Sequence, residues 1–281
     1  MGPVGLALRS TLVAGGFLGA QVGAGAVLTG LGLQESVDLG VDPTLMLVAM
    51  GIGGLVIGGT LGPLARRVPG SRRTHVVVWS ALIFLNMAGI VLEGTFFAPD
   101  LAPMENLPAG LIAQFVAAVV TAGLVAWLFV PAHATGGISL RDRPWSSWML
   151  RVLAGAFLYV VLFLVVGGLN YQLVTGSYYE AQIDGLVTPA VGVILVLEFV
   201  RGLLIVLSVL PFVRAFTGNI RRRALYAGGL LFVFSGLVPL LFQLFTLPPF
   251  LLFASGYEIL LQVGPTGVAV AYLLGPHRTH G

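Results

Sequence analysis

The stretch VILVLEFVRGLLIVL, Val193 to Leu207, sets two charged side chains, Glu198 and Arg201, inside an otherwise unbroken apolar run. If the run crosses a bilayer, each charge costs roughly 2.5 kcal/mol or more and needs a partner that offsets it. The flanking sequence requires the bilayer. Of 281 residues 57% are hydrophobic and 9% charged, against about a quarter charged in soluble domains. Apolar runs of about 20 residues, enough to cross some 30 Å of hydrocarbon as helices, recur along the whole chain. They lack the alternation of β-barrel strands. The expected fold is an all-α integral membrane protein with eight transmembrane helices, over about 4–31, 43–64, 74–95, 107–131, 148–172, 188–213, 223–246 and 249–274.

Every basic residue is arginine. Arg66, Arg67, Arg72 and Arg73 lie between spans 2 and 3, Arg141, Arg143 and Arg151 around the connection of spans 4 and 5, and Arg214, Arg221, Arg222 and Arg223 between spans 6 and 7. Arg9 and Arg278 stand near the two ends, and only Arg201 falls well within a span. The opposite connections are read as holding Glu35, Asp38, Asp42, Glu93, Asp100, Glu105, Glu180 and Asp184. Under the positive-inside rule both termini are cytoplasmic, and the expected location is the plasma (inner) membrane. The basic pI near 9.6 therefore calls for anionic headgroups, and no nucleic acid, as partner. With no cysteine, disulfides and thiolate chemistry are excluded. Span 1, with Arg9 and the run GAGA at Gly23 to Ala26, has the outline of a signal peptide, but its likeness to span 5 argues that it is retained.

That likeness belongs to a wider one. LVAGGFL (Leu12–Leu18) parallels VLAGAFL (Val152–Leu158), VDP (Val41–Pro43) parallels VTP (Val187–Pro189), and GPLAR (Gly62–Arg66) parallels LPFVR (Leu210–Arg214). TAGLVAWLFVP (Thr121–Pro131) parallels TGVAVAYLLGP (Thr266–Pro276). Four matches in one order predict a parallel 4+4 internal repeat, residues 1–135 and 136–281, related by an axis along the membrane normal. Spans 1 and 2 are glycine-rich, with Gly15, Gly19 and Gly23, and Gly54, Gly58 and Gly62, spaced by four, the pattern of close helix packing. Span 2 has no charge where span 6 carries Glu198 and Arg201.

Counted at about 1.5 Å per residue, Glu198 lies about 14 Å from Pro189, Arg201 about 18 Å, and Glu258 as deep from Pro249 as Glu198 is from Pro189. Asn86 comes out about 18 Å from the cytoplasmic edge, and Gln262 stands one turn beyond Glu258 on the same face. The expected site is Glu198, Arg201, Glu258, Gln262 and Asn86, with one guanidinium serving Glu198 and Glu258. Such a cluster suits a proton, a small cation or an ammonium group, so a small-solute or ion-coupled transporter is one reading. The other is a non-catalytic membrane subunit, its charges spent on packing or on a membrane protein partner. Asn170, Gln172, Gln243 and Gln21 are read as vestibule or water-facing groups, and Tyr171, Tyr178, Tyr179, Trp145 and Trp148 as interfacial belts.

His75, His277 and His280 fall at cytoplasmic edges and His133 just past span 4. This placement argues against haem or metal between helices, and no cofactor is expected. No GxSxG, HExxH or P-loop occurs, and the intramembrane serines lack a basic partner, so no catalytic role is assigned.

Overall fold

The computed structural model describes residues 2–35, 40–138, 142–182 and 185–276. Asp38, Arg141, Asp184, His277, Arg278 and His280 lie outside them. Eight helices are long and apolar enough to cross a membrane: α1 Pro3–Gly30, α2 Pro43–Ala65, α3 Arg72–Phe97, α4 Leu107–Phe129, α5 Trp145–Glu180, α6 Val191–Ala215, α7 Ile220–Phe242 and α8 Pro249–Leu274. Among the described residues there is no strand.

Local chemistry explains where several helices begin. Proline opens α1, α2 and α8, where its missing N–H costs no intrahelical bond. Asp42 caps α2 by accepting from the Thr44 N–H at 2.7 Å, Ser71 caps α3, and Asn219 caps α7. The caps move the start of the seventh span back to Ile220. The sixth begins at Val191, two residues after the proline that serves as the depth marker.

Span 5 departs most from expectation. Its polar residues Asn170 and Gln172 read as an exit, yet the helix continues to Glu180. It contains two π turns, Phe163–Gly167 and Tyr171–Thr175, one on each side of Asn170. The tyrosines expected in an interfacial belt are part of this extension: Tyr179 meets Phe97 of α3 edge-on, and Tyr178 stacks on Phe250 of α8. A third π turn, Val233–Leu237, precedes Pro239 in α7.

Helix α1 packs on α2 and α4, and α3 packs on α4. In the same manner α5 packs on α6 and α8, and α7 on α8. The two sets join where α3 packs on α6 and where α2 meets the second part of α7, from Val233 to Phe242. Fully buried Phe17, Ile57, Trp79, Tyr159, Phe212 and Phe234 fill the centre. Because lipid is as apolar as these side chains, close fit holds the helices together more than water exclusion does.

Glycine supplies that fit in α2. A Cβ on Gly54 would stand 3.0 Å from the Ala14 carbonyl oxygen, and one on Gly58 would collide with the Ser10 carbonyl. Gly202 of α6 receives Ala156 of α5 in the same way: a Cβ there would stand 2.8 Å from the Ala156 carbonyl oxygen. The stripe Gly15, Gly19 and Gly23 on α1 does not follow: these glycines are exposed and nothing lies within 4 Å of a Cβ there. Spacing by four marks a smooth face, but whether a neighbour uses it depends on the helix's place in the bundle.

Arginines gather at one end. Arg9 donates to the Leu128 carbonyl and Arg72 to that of Val130, at the end of α4. Arg151 and Arg143 both donate to the Leu273 carbonyl, each at 2.9 Å, at the end of α8. These guanidiniums satisfy carbonyls that a helix C-terminus leaves open and oppose its negative dipole end. Asp142 takes both terminal nitrogens of Arg214, at 2.8 and 2.9 Å. Trp148, expected at an interface, is buried between the guanidiniums of Arg143 and Arg214, 5.3 and 5.2 Å from its ring.

Candidate functional site

Glu198 and Arg201, three residues apart, share a face of α6, which turns them toward α3 and α5. Their side chains are 1% and 3% exposed, and Arg201 Nη1 lies 3.5 Å from Glu198 Oε2. Tyr159 of α5 donates to the same oxygen at 3.0 Å, and its ring centre is 5.9 Å from the guanidinium. The second carboxylate on Arg201 is Glu93 of α3, at 2.6 Å. This corrects two expectations, that Glu93 belongs with the acids of the outer connections and that Glu258 pairs with Arg201. Gly89, one turn before Glu93, leaves the room that the arginine stem occupies: a Cβ there would be 3.3 Å from Arg201 Cγ.

Glu258 is held separately. Gln262, one turn on, donates to its Oε1 at 2.8 Å, and Asn170 of α5 donates to Oε2. Gly167, the last residue of the first π turn, faces the carboxylate, and a Cβ there would stand 2.9 Å from Oε1. Glu198 meets Tyr159, whereas Glu258 meets Asn170, about 16 Å further along α5 by helix rise. Equal distances from Pro189 and Pro249 therefore do not mean equal depth, because α5 and α8 extend past the start of α6. Among the described residues the carboxylates in ion-pair contact with Arg201 are Glu93 and Glu198.

Asn86 is not brought to the carboxylates. It donates to Ser208 of α6 at 2.8 Å and to the Leu82 carbonyl at 2.6 Å, and accepts from Ser235 of α7. This buried knot lies on the face of α3 that carries Glu93 two turns later. That seven-residue spacing is the available signal for Glu93. Tyr159 gives none beyond its position within span 5, and Asn170 reads as vestibular only while the span is ended too early. Gln21, also expected in a vestibule, is buried against Gln114 of α4 at 2.7 Å.

The site has more acceptors than donors. Two carboxylates, Glu93 and Glu198, contact one guanidinium, Glu258 is a third carboxylate held by amides alone, and two deeply buried oxygens, Glu198 Oε1 and Asn170 Oδ1, have no hydrogen-bond donor. Among the described residues no group of three or more His, Cys, Asp or Glu is placed to hold a metal ion. His75 is buried and engaged, with Nε2 3.0 Å from the Val68 carbonyl and Nδ1 accepting from Trp79.

These features define a polytopic α-helical membrane protein with a charged cluster among α3, α5, α6 and α8. No protein-family model, curated protein or solved structure matches the chain.

Proposed function

We propose that the chain is a small carrier of the plasma (inner) membrane that binds a proton or a small organic ammonium ion at this cluster. The observation that carries the reading is the excess of buried acceptors: Glu198 Oε1 and Asn170 Oδ1 lack donors beside three carboxylates and one guanidinium. Only a donor or a cation relieves such an excess, and water-poor surroundings strengthen the attraction. Arg201 is the fixed counter-charge of Glu93 and Glu198. Glu258, half-buried between Asn170 and Gln262, is the group that takes up the ligand's charge. The arginine-rich end is cytoplasmic by the positive-inside rule, so the N-terminus of α1 and the C-terminus of α8 both face the cytoplasm.

The repeat gives the site its logic. Packing of α1 on α2 and α4 recurs as α5 on α6 and α8, and α3 on α6 is exchanged with α7 on α2, as a twofold axis along the normal requires. The link from Arg9 to Leu128 recurs as Arg151 to Leu273, and Gly54 on Ala14 as Gly202 on Ala156. These contacts set α1 against α5 two residues off the register of LVAGGFL and VLAGAFL. In this register Phe17 corresponds to Tyr159 and Gly53 to Arg201. Counted from the caps Ser71 and Asn219, with one residue added by the π turn in α7, Glu93 corresponds to Phe242. Phe242 packs on Gly53 and stacks on Phe17 at 5.9 Å. One half thus holds an apolar plug where the other holds Tyr159, Arg201 and Glu93, and a single charged site results.

A second reading, a membrane subunit, is favoured by the 2.6 Å contact of Arg201 with Glu93, which ties the halves together with no ligand. Proteoliposomes enclosing a pH-sensitive dye separate the two when challenged with a panel of primary to quaternary ammonium compounds. A carrier gives amine-dependent proton flux that falls at least tenfold in Glu258→Gln and in Gly167→Ala, and is unchanged in Gly168→Ala, where space is open. Absence of flux with every amine, or full flux in Glu258→Gln, overturns the carrier.

A further inference from the structure

Helices α2 and α7 touch where Phe242 covers Gly53, but the first part of α7 stands away from α2. The gap is a groove of about 360 Å³ at the arginine-rich end, lined by Gly59 and Pro63 of α2, Arg67 just past its end, and Leu225, Tyr226 and Gly229 of α7, among others. Thr60 apart, its walls between the helices are apolar, with Leu64, Leu230 and Val233 among them, and Gly59 and Gly229 are both exposed, with nothing within 4 Å of a Cβ on either. At its mouth Arg67 donates to the Tyr226 hydroxyl and lies 6.0 Å from the ring centre. Arg66 caps the end of α2, Arg221 lies in the first turn of α7, and Arg222 precedes Tyr226 by one turn on the same face. All four arginines are exposed, and among the described residues none has a carboxylate partner.

We infer that this groove is a binding site for an anionic phospholipid, with one acyl chain between α2 and α7 and the headgroup phosphate on Arg67 and Arg222. Charge complementarity decides the occupant. A second copy of this chain would cover the apolar walls but, meeting this end with its own basic end, would bring further arginines to the mouth. A lipid of net negative charge supplies the missing anion at headgroup depth and an apolar chain below it. The guanidiniums extend from the ends of their helices to the headgroup level, where their charge remains solvated. Beyond the recess, α2 and α7 come together where Phe242 covers Gly53, and the recess itself is open to the side at Gly59 and Gly229. This site is separate from the carboxylate cluster and independent of the carrier reading.

Native mass spectrometry of the purified protein, released from micelles after titration with phosphatidylglycerol or phosphatidylcholine, tests the site. Phosphatidylglycerol is expected to be retained at least tenfold more tightly than phosphatidylcholine. Arg67→Gln with Arg222→Gln removes that preference. Gly59→Leu with Gly229→Leu, which fills the groove and keeps every arginine, removes retention as well. Equal retention of the two lipids in the native protein overturns the inference. So does undiminished phosphatidylglycerol binding in the groove-filling variant, which would mean diffuse attraction to the basic surface. A lipid-free dimer that Gly59→Leu dissociates overturns it in favour of a second copy. If the leucine variant does not fold, the glutamine pair, altered only at exposed positions, decides between the outcomes through the lipid comparison.

Discussion

Arg201 on α6 and Glu93 on α3 meet at 2.6 Å, and in the proposed repeat their counterparts are Gly53 and Phe242, which pack on each other. Removing one member of a buried pair strands the other, which costs about 3–5 kcal/mol, whereas replacing both can be nearly neutral. Arg201→Gly leaves both Glu93 and Glu198 without their counter-charge and is expected to destabilise by that amount, whereas Glu93→Phe leaves Arg201 its pair with Glu198 and should cost less. Combined, they remove the tie between α3 and α6 but leave Glu198 with Tyr159 alone, so the double variant should lose less than the sum of the two single ones. Unfolding in detergent micelles measures the cycle; losses that simply add would remove the coupling between these residues.

Two glycines separate packing from mere spacing. Gly58→Ala drives a methyl group into the Ser10 carbonyl and should cost about 1–3 kcal/mol, as overpacked sites do. Gly19→Ala, facing open space on α1, should leave the melting temperature unchanged or slightly raised, because alanine favours helix. Equal effects of the two changes would contradict the arrangement of α1 on α2.

Acid should loosen the arginine-rich end. Partial burial tends to raise the Asp142 carboxyl, but the hydrogen bonds and charge of Arg214, helped by Arg143, hold it below the usual range near 3.8. A carboxyl lowered in the folded state contributes stability that is present above the unfolded value and lost as pH falls through the lower folded value. The loss therefore falls below about pH 4 and, for an exposed pair, amounts to roughly 1 kcal/mol or less. Melting temperature followed from pH 6 to pH 3 should fall less steeply in Asp142→Asn. Identical slopes would show that the pair does not contribute.

The eight spans are legible in the sequence because bilayer thickness demands apolar runs of one length, and arginines mark one side of them. The end of span 5 is not, since Asn170 and Gln172 look like an exit until Tyr178 and Tyr179 are seen to pack on Phe250 and Phe97. The pairing of Glu198 with Arg201 follows from three-residue spacing on one helix. The partners of Glu258 do not follow in the same way. Spacing fixes depth along a helix, whereas the shift of α8 relative to α6 is set by packing on α5. Glu93 is hidden in the sequence because an arginine side chain reaches a full turn beyond its own backbone, joining residues that their depths would keep apart.

Helix α5 carries wide turns on both sides of Asn170, and regular i to i−4 bonding is interrupted between Phe163 and Thr175. Bending of a helix concentrates where its ladder is interrupted. The C-terminal piece, Gly176–Glu180, is fastened to α3 through Tyr179 and to α8 through Tyr178, while the N-terminal piece is fastened to α6 through Tyr159 and Ala156. The interruptions therefore divide the cluster along α5: Tyr159, in the regular part of the helix, serves Glu198, and Asn170, between the two wide turns, serves Glu258.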